Sequence, residues 1–213
     1  MGLPRSFPEI SPSNVKGIES NPFTAELARD SIWTGANQWM RRNEFAEIRG
    51  PILRPFDNIE CRDASPFTGG SEPNWPEADI IVGNPPFLGS RKARKVLGYD
   101  CLGTLSRTYR SQIAGKPDLV RYWFAKAGKL FDDGKVGRAG LVATNSIRGG
   151  TNRKVLYRIA ETGVILDARA DEEWTVEVAA VRVLIVCSAR ANCGDPVFLN
   201  GSETRRIYTD LAA

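Results

Sequence analysis

The stretch Glu77-Ala78-Asp79-Ile80-Ile81-Val82-Gly83-Asn84-Pro85-Pro86-Phe87 decides the fold and the chemistry expected of this chain. Its first half is a mostly apolar run typical of a buried strand. Two successive prolines then end the strand, because neither has an N–H group to donate to a sheet and both fix φ. The strand tip therefore presents an amide side chain, a rigid carbonyl and an aromatic ring. This combination suits the binding of a planar amine and indicates amino-group methylation.

Strand and helix patterns alternate along the chain, which predicts an α/β fold with a doubly wound, mostly parallel sheet. Strands are predicted at residues 15–19, 58–63, 79–82, 139–144, 164–169 and 179–187. Helices are predicted at about residues 22–40, 118–131 and 152–161, the first on a stripe of Ala28, Ile32 and Trp39. Residues 65–76, rich in Gly, Ser and Pro, are predicted to form a loop.

Composition narrows the possible classes of protein. The 213 residues, 42% hydrophobic and 25% charged, suit one domain with a substantial core. The sequence has neither an apolar run long enough to span a membrane nor a signal peptide, so we expect a cytoplasmic protein with no membrane contact. It contains no histidine and four cysteines without C-x-x-C spacing. We therefore expect no metal site and no histidine-dependent catalysis.

Positive charge is concentrated directly after the Pro-Pro turn. Residues 88–129 contain ten Lys or Arg against two Asp, a net charge of +8. A solvated helix face explains such a cluster equally well when it stands alone. Next to a candidate catalytic loop, it indicates a polyanionic partner.

Three polar residues follow predicted strands: Glu19, Asp63 and Asn84. In doubly wound sheets, ligands bind beyond the carboxyl ends of the strands, so we expect the three side chains at one edge. Glu19 suits the hydroxyl groups of a ribose, and Asp63 suits an adenine amino group. Acidic residues at strand ends are common, so Glu19 or Asp63 alone is a weak indication of function. The three residues in this order, with Asn84 followed by two prolines, are a far more specific pattern.

The chain resembles a known family through four segments: residues 16–28, 58–64, 81–89 and 147–153. Together they are similar to the methyltransferase region of MmeI-like restriction–modification and phage-defence enzymes, which methylate adenine N6 in DNA. The resemblance implies a Rossmann-like class I methyltransferase fold, S-adenosylmethionine as cofactor and double-stranded DNA as partner. It also implies that the target adenine is flipped out of the duplex.

The resemblance implies roles for individual residues. The catalytic turn is Asn84, Pro85, Pro86 and Phe87, in which the Asn84 oxygen and the Pro85 carbonyl accept from the amine and Phe87 stacks on the base. The cofactor residues are Glu19, Asp63, Ala64 and Asn84. The DNA-contacting residues are Arg91, Lys92, Arg94, Lys95, Arg148, Arg153 and Trp174. Phe87 and Trp174 suit core or rim packing as well, and Arg148, Asn152 and Arg153 suit capping of a helix.

The sequence departs from the family in one respect, since it contains no glycine-rich loop of the type D-P-A-C-G-S-G. We expect residues 1–14 to be irregular and residues 15–190 to form a partial catalytic domain that lacks the first, central strand. Residues 191–213 are expected to lead toward an absent target-recognition domain. A gene fragment, a split enzyme completed by a partner chain and a degenerate remnant all remain open.

The isolated chain is therefore expected to bind S-adenosylmethionine weakly and to be inactive alone. The alternative functions are a non-catalytic DNA-binding remnant or subunit, and amino-methylation of cytosine N4, of guanine in RNA or of glutamine in proteins.

Overall fold

A computed structural model describes residues 10–45, 57–64, 73–109, 113, 118–176, 179–191 and 193–212. The chain divides into two compact units. The first contains Met1–Ala64 and Asn74–Pro76, and the second contains Ser65–Pro73 and Glu77–Ala213. Within the described segments, no helix is both long enough and apolar enough to cross a bilayer.

The first unit contains two short strands and a long helix: β1 (Gly17–Glu19), α1 (Pro22–Arg42) and β2 (Ile59–Cys61). The two strands are parallel, and Glu19 lies opposite Cys61. Both strands were predicted from the sequence, with ends one to two residues further out.

Helix α1 begins where its cap predicts. The Asn21 side-chain oxygen accepts hydrogen bonds from the backbone N–H groups two and three residues further on, at 2.9 and 3.2 Å. Ala28 and Ile32 are half-buried as predicted, whereas Trp39 is 49% exposed. The predicted stripe therefore holds for the first half of the helix only.

The second unit contains a six-stranded sheet of order β3-β4-β6-β5-β7-β8. Its strands are β3 (Ile80–Gly83), β4 (Arg138–Ala143), β5 (Gly163–Val176), β6 (Ala179–Arg190), β7 (Val197–Leu199) and β8 (Ser202–Thr204). Strands β3, β4, β5 and β7 share one direction, while β6 and β8 run against it. The mostly parallel sheet predicted from the sequence is thus confirmed.

In its described residues the second unit contains three α-helices: α2 (Ser90–Thr108), α3 (Val120–Asp132) and α4 (Lys154–Thr162). The helix predicted at residues 118–131 is confirmed as α3, and its residues Val120, Phe124, Ala127 and Phe131 are all buried in the core. Helix α4 was also predicted.

Helix α2 was not predicted. It is interrupted at Gly98, whose φ of 79° lies in the region that favours glycine. Its buried or half-buried residues Ala93, Leu97, Cys101 and Leu105 do follow helical spacing. The density of basic residues between them concealed that period.

The chain after β6 contributes to the core. Beyond strands β7 and β8, Ile207 and Leu211 are 3% and 4% exposed and join the core cluster of the second unit. The polar, turn-rich composition of this tail gave no sign of that packing. Of the predicted loop at 65–76, residues 65–72 lie outside the described residues, and residues 73–76 are neither helix nor strand.

Candidate active site

The turn at residues 84–87 follows β3 directly. Pro85 is buried, Asn84 and Pro86 are exposed, and Phe87 is 38% exposed. In the described part of the chain the Asn84 amide makes no hydrogen bond, so it is free to bind a ligand. Two bonds fix the segment that follows the turn: the Leu88 N–H donates to the Pro86 carbonyl at 3.0 Å, and the Leu88 carbonyl accepts from the Leu119 N–H at 3.0 Å.

The strand directions collect several segments at one edge of the sheet. Because β3, β4 and β5 are parallel, the turn at 84–87, the 3₁₀ turn Asn145–Arg148 and the second half of β5 lie at the same, carboxyl edge. This is the edge at which open α/β sheets bind ligands. The 3₁₀ turn at residues 145–148 therefore lies beside the turn at residues 84–87.

The side chain of Asp118, just before α3, binds the 3₁₀ turn at residues 145–148 and the chain that follows it. Its Oδ2 atom accepts from Ser146 Oγ at 2.9 Å and from Asn152 Nδ2 at 3.0 Å. Asn152 Oδ1 in turn accepts from Arg121 Nη1 at 3.2 Å. Both the oxygen and the nitrogen of the Asn152 side-chain amide thus have partners within the protein.

Asp171 forms a second polar cluster, at an irregularity of β5 where its φ is 59°. Asn145 Nδ2 donates to Asp171 Oδ1 at 2.6 Å, and Arg148 Nη2 lies 3.5 Å from Asp171 Oδ2. The Asn145 hydrogen bond lowers the pKa of Asp171, and the positive charges of Arg148 and Arg182 act in the same direction against a smaller effect of burial. Arg148 is thereby held at the site edge.

Trp174 lies on the part of β5 that extends beyond the end of β4. It pairs with Val181, three residues before Leu184, which pairs with the last residue of β4, Ala143. At about 3.3 Å per residue, Trp174 stands roughly 10 Å past that strand end. Trp174 is 40% exposed and so is not buried in the core, and its contact with a flipped base stays a prediction.

The basic segment after the turn is not all surface. Arg121 is 0% exposed and Lys126 is 3% exposed, with Lys126 Nζ bound to the Pro73 carbonyl. Lys95 is exposed on α2. Arg91, Lys92 and Arg94 lie in the first turns of α2, and their side chains are outside the described set.

Arg153 has partners within the protein. Its Nε donates to Thr209 Oγ1 at 2.9 Å, and its Nη2 lies 3.3 Å from Asp210 Oδ2. The guanidinium also lies over the Tyr157 ring, 5.0 Å from the centroid. A DNA contact by Arg153 stays a prediction. In such a contact the guanidinium would bind a phosphate in addition to these partners within the protein.

The predicted cofactor acids lie in the first unit, at the carboxyl edge of β1 and β2. Glu19 Oε1 accepts from the Asn21 N–H at 2.8 Å, whereas Oε2 has no hydrogen bond within the described residues. Asp63 is exposed, and the Ala64 carbonyl accepts from Trp75 Nε1 at 3.0 Å. An available carboxylate oxygen at a strand end fits the hydroxyl groups of a nucleoside. That these acids meet Asn84 at one edge stays a prediction.

Comparison with known proteins identifies the family. The family model for the MmeI DNA-methyltransferase domain matches residues 4–199, which is most of the chain. The chain belongs to the MmeI DNA-methyltransferase domain family. The resemblance described from sequence motifs is thus confirmed.

This MmeI-type chain is similar to several individual proteins. "DNA methyltransferase A" of Bacillus subtilis (strain 168) is 24% identical over 96% of this chain, which spans 24% of that protein. The structure of the type IIL restriction–modification enzyme MmeI in complex with DNA has a TM-score of 0.67 and 20% identity, covering 95% of this chain and 29% of that one. A type I methyltransferase subunit from Streptococcus thermophilus is 16% identical, with a TM-score of 0.48 and coverage of 86% and 36%. The fold class predicted from the sequence is confirmed, and the chain spans about a quarter of these first two relatives.

Two acidic residues of this MmeI-type chain were missed by sequence reasoning. Asp118 is the first residue of the helix predicted at residues 118–131 but was assigned no role at the site, and Asp171 was assigned none. Asp118 precedes a strong helix pattern, where a carboxylate often marks a structured helix start, so a weak signal existed. Asp171 lies two residues after the strand predicted at residues 164–169 and carries no comparable signal.

Proposed function

We propose that this chain carries the catalytic site of a DNA adenine-N6 methyltransferase of the restriction–modification type that uses S-adenosylmethionine. The observation that carries the proposal is the turn at residues 84–87. It combines an exposed Asn84 amide without a partner in the described residues, a rigid Pro-Pro segment and a Phe87 ring that is 38% exposed. Membership of the MmeI family supports DNA as the substrate.

In the proposed mechanism, the turn binds and activates the target amine. The adenine is flipped out of the duplex and Phe87 stacks on its face, because an amine inside the helix cannot reach a strand tip. The Asn84 oxygen and the Pro85 carbonyl accept hydrogen bonds from N6. Two acceptors favour a pyramidal nitrogen and stabilise the positive charge that develops on it. Pro85 and Pro86 hold both acceptors in place before the reaction.

S-adenosylmethionine supplies an electrophilic methyl group on a sulfonium sulfur. Glu19 would accept from the ribose hydroxyls through its available oxygen, Asp63 would accept from the adenine amino group, and Ala64 and Asn84 would complete the contacts. On transfer, the N6–C bond would form as the C–S bond of the sulfonium breaks, so that S-adenosylhomocysteine leaves. The N6 proton would then pass to solvent, and no histidine is needed.

The proposed DNA contacts are of two kinds. Basic side chains on the first turns of α2 and in the segment after β4 would contact phosphates, which position the duplex without reading its sequence. These residues are Arg91, Lys92, Arg94, Lys95, Arg148 and Arg153. Trp174, on the projecting end of β5, would pack against the other face of the flipped base.

We further propose that a partner segment completes the site. Strand β3 is an edge strand of the six-stranded sheet, and on it Ile80 and Val82 are 57% and 81% exposed. Exposed apolar side chains on an unpaired edge favour a further strand beside it. That strand and its glycine-rich loop would come from another part of a longer protein or from a separate partner chain. The completed enzyme would act in the cytoplasm.

Methylation of host DNA tests the proposal. The coding region with its flanking genomic DNA is expressed in a methylation-free bacterial host, and the host DNA is sequenced by long reads that detect modified bases. We expect N6-methyladenine at one defined sequence, and none when Asn84→Ala is introduced. N4-methylcytosine would overturn the adenine assignment in favour of an alternative substrate. The absence of any methylated base would overturn it in favour of a non-catalytic subunit. Equal methylation by the Asn84→Ala variant would overturn the site.

A further inference from the structure

Arg121, the second residue of α3, carries a buried charge that the proposed chemistry does not use. The residue is 0% exposed, and among the described residues its Nε and Nη2 atoms have no hydrogen-bond partner. Burial lowers the pKa of Arg121, while the nearby charges of Tyr122 and Asp118 oppose that shift. A guanidinium taken out of water is costly unless acceptors and a counter-charge surround it. Among the described residues the Arg121 side chain donates one hydrogen bond, to Asn152, and Asn152 in turn donates to Asp118.

Asp118 lies between the segment at residues 84–89, which contains the catalytic turn, and the segment at residues 144–153. On one side its Oδ2 accepts from Ser146 and Asn152, at 2.9 and 3.0 Å. On the other side the next residue, Leu119, donates its N–H to the Leu88 carbonyl at 3.0 Å. Asp118 Oδ1 also lies against Gly89, 3.5 Å from where a Cβ atom would stand on that residue.

Resting on the proposed function, we infer that Asp118 is the positioning residue of the catalytic turn. It ties the segment at residues 84–89 to the segment at residues 144–153, and Arg121, which donates to Asn152, holds the Asn152 amide that donates to Asp118. Neither Asp118 nor Arg121 touches a reacting atom. The pair fixes the distance between the turn that grips the base and the residues that follow β4.

Amide hydrogen exchange, followed residue by residue by NMR on the purified chain, tests this inference. The reporter amides are Leu88, Leu119 and Ile147, and the reference amide is Leu141 in the middle of β4. In Asp118→Ala we expect the reporters to exchange about tenfold faster, which corresponds to about 1.4 kcal/mol, with the reference changed by less than about twofold. The matched control is Asp132→Ala, at the other end of the same helix, which should leave the reporters unchanged.

Two further variants separate positioning from general structure. Asp118→Asn should restore most of the protection of the reporter amides, because the bonds from Ser146 and Asn152 both end on one oxygen, which an amide retains. The same variant should lower the thermal midpoint, because it removes the negative charge of Asp118 near Arg121. Ser146→Ala, at an exposed residue, should quicken exchange at Ile147 and so provides the test if Asp118→Ala does not fold.

Equal acceleration of reporters and reference in Asp118→Ala, or no acceleration at all, would overturn the positioning role. So would an unchanged Ile147 in Ser146→Ala. Hydrogen exchange is measured without methyl transfer, so a failure of this inference can be distinguished from a failure of the proposed function.

Discussion

Gly163→Ala is expected to destabilise the second unit strongly. Gly163 joins α4 to β5, and a Cβ atom built on it lies 2.4 Å from the Ala189 carbonyl oxygen and 3.1 Å from the Ile159 carbonyl oxygen. Both obstacles are backbone atoms, so no side chain can turn aside. Ordinary contact begins at 3.4 Å, so the start of β5 must move away from β6 by about 1 Å.

The cost of that movement can be estimated from the contacts. Overpacking costs about 1–3 kcal/mol, and weakening the first bonds of the β5–β6 ladder adds about 1 kcal/mol. A loss of about 2–4 kcal/mol corresponds to a fall in thermal midpoint of about 4–16 °C for a chain of this size. Because β5 carries Asp171 and Trp174 at its far end, the same shift would disturb the candidate site.

Thermal and urea unfolding, followed by circular dichroism, measure this effect. The matched control is Gly103→Ala in the second half of α2, where no atom of the described residues, apart from the chain neighbours and the surrounding helix backbone, lies within 4 Å of the added Cβ. That variant should be neutral or stabilised by up to about 1 kcal/mol through helix propensity. An unchanged or higher midpoint for Gly163→Ala, or an equal loss in the control, would refute the steric reasoning.

Three other outcomes are expected. The Asn145 hydrogen bond lowers the pKa of Asp171 in the folded state. The ionised Asp171 carboxylate therefore stabilises the fold above the pKa that Asp171 has in the unfolded chain, and this stabilisation is lost as the pH falls through its lower folded pKa. Unfolding midpoints of wild type and Asp171→Asn should therefore converge on acidification below about pH 4, and a constant difference would contradict this. Titration calorimetry of the isolated chain with S-adenosylmethionine should give weak binding or none, and micromolar affinity would defeat that expectation. Lys95→Gln should reduce the salt dependence of DNA binding, measured by fluorescence anisotropy, by about one unit of slope, and an unchanged slope would remove Lys95 from the phosphate contacts.

Much of the fold was predictable because local patterns agree with it. The apolar face of α3, the Asn21 cap of α1 and the β-branched run of β6 each match the element that formed. Helix α2 escaped prediction because Gly98 interrupts it and basic residues separate its apolar positions. The packing of Ile207 and Leu211 escaped because two apolar residues in a polar tail have no period to detect.

The candidate site was predicted unevenly. The turn at residues 84–87 is a contiguous motif whose prolines act on the backbone locally, so the sequence alone located it at a strand tip. The contacts of Asp118 and Asp171 join residues 23 to 34 positions apart. Contacts of that range depend on how strands and helices pack, and a single sequence does not contain that information.

By itself, the sequence determined the strand tip, its two prolines and the chemical groups of residues 84–87, because those features depend on φ restriction and missing donors within a few residues. Only the tertiary structure decided which basic residues reach solvent: it placed Arg121 in the core and Lys95 on the surface. The physical reason is that burial is set by the faces that helices present to the sheet. Charge composition reports how many cations a segment has, and packing decides which of them are available to a polyanion.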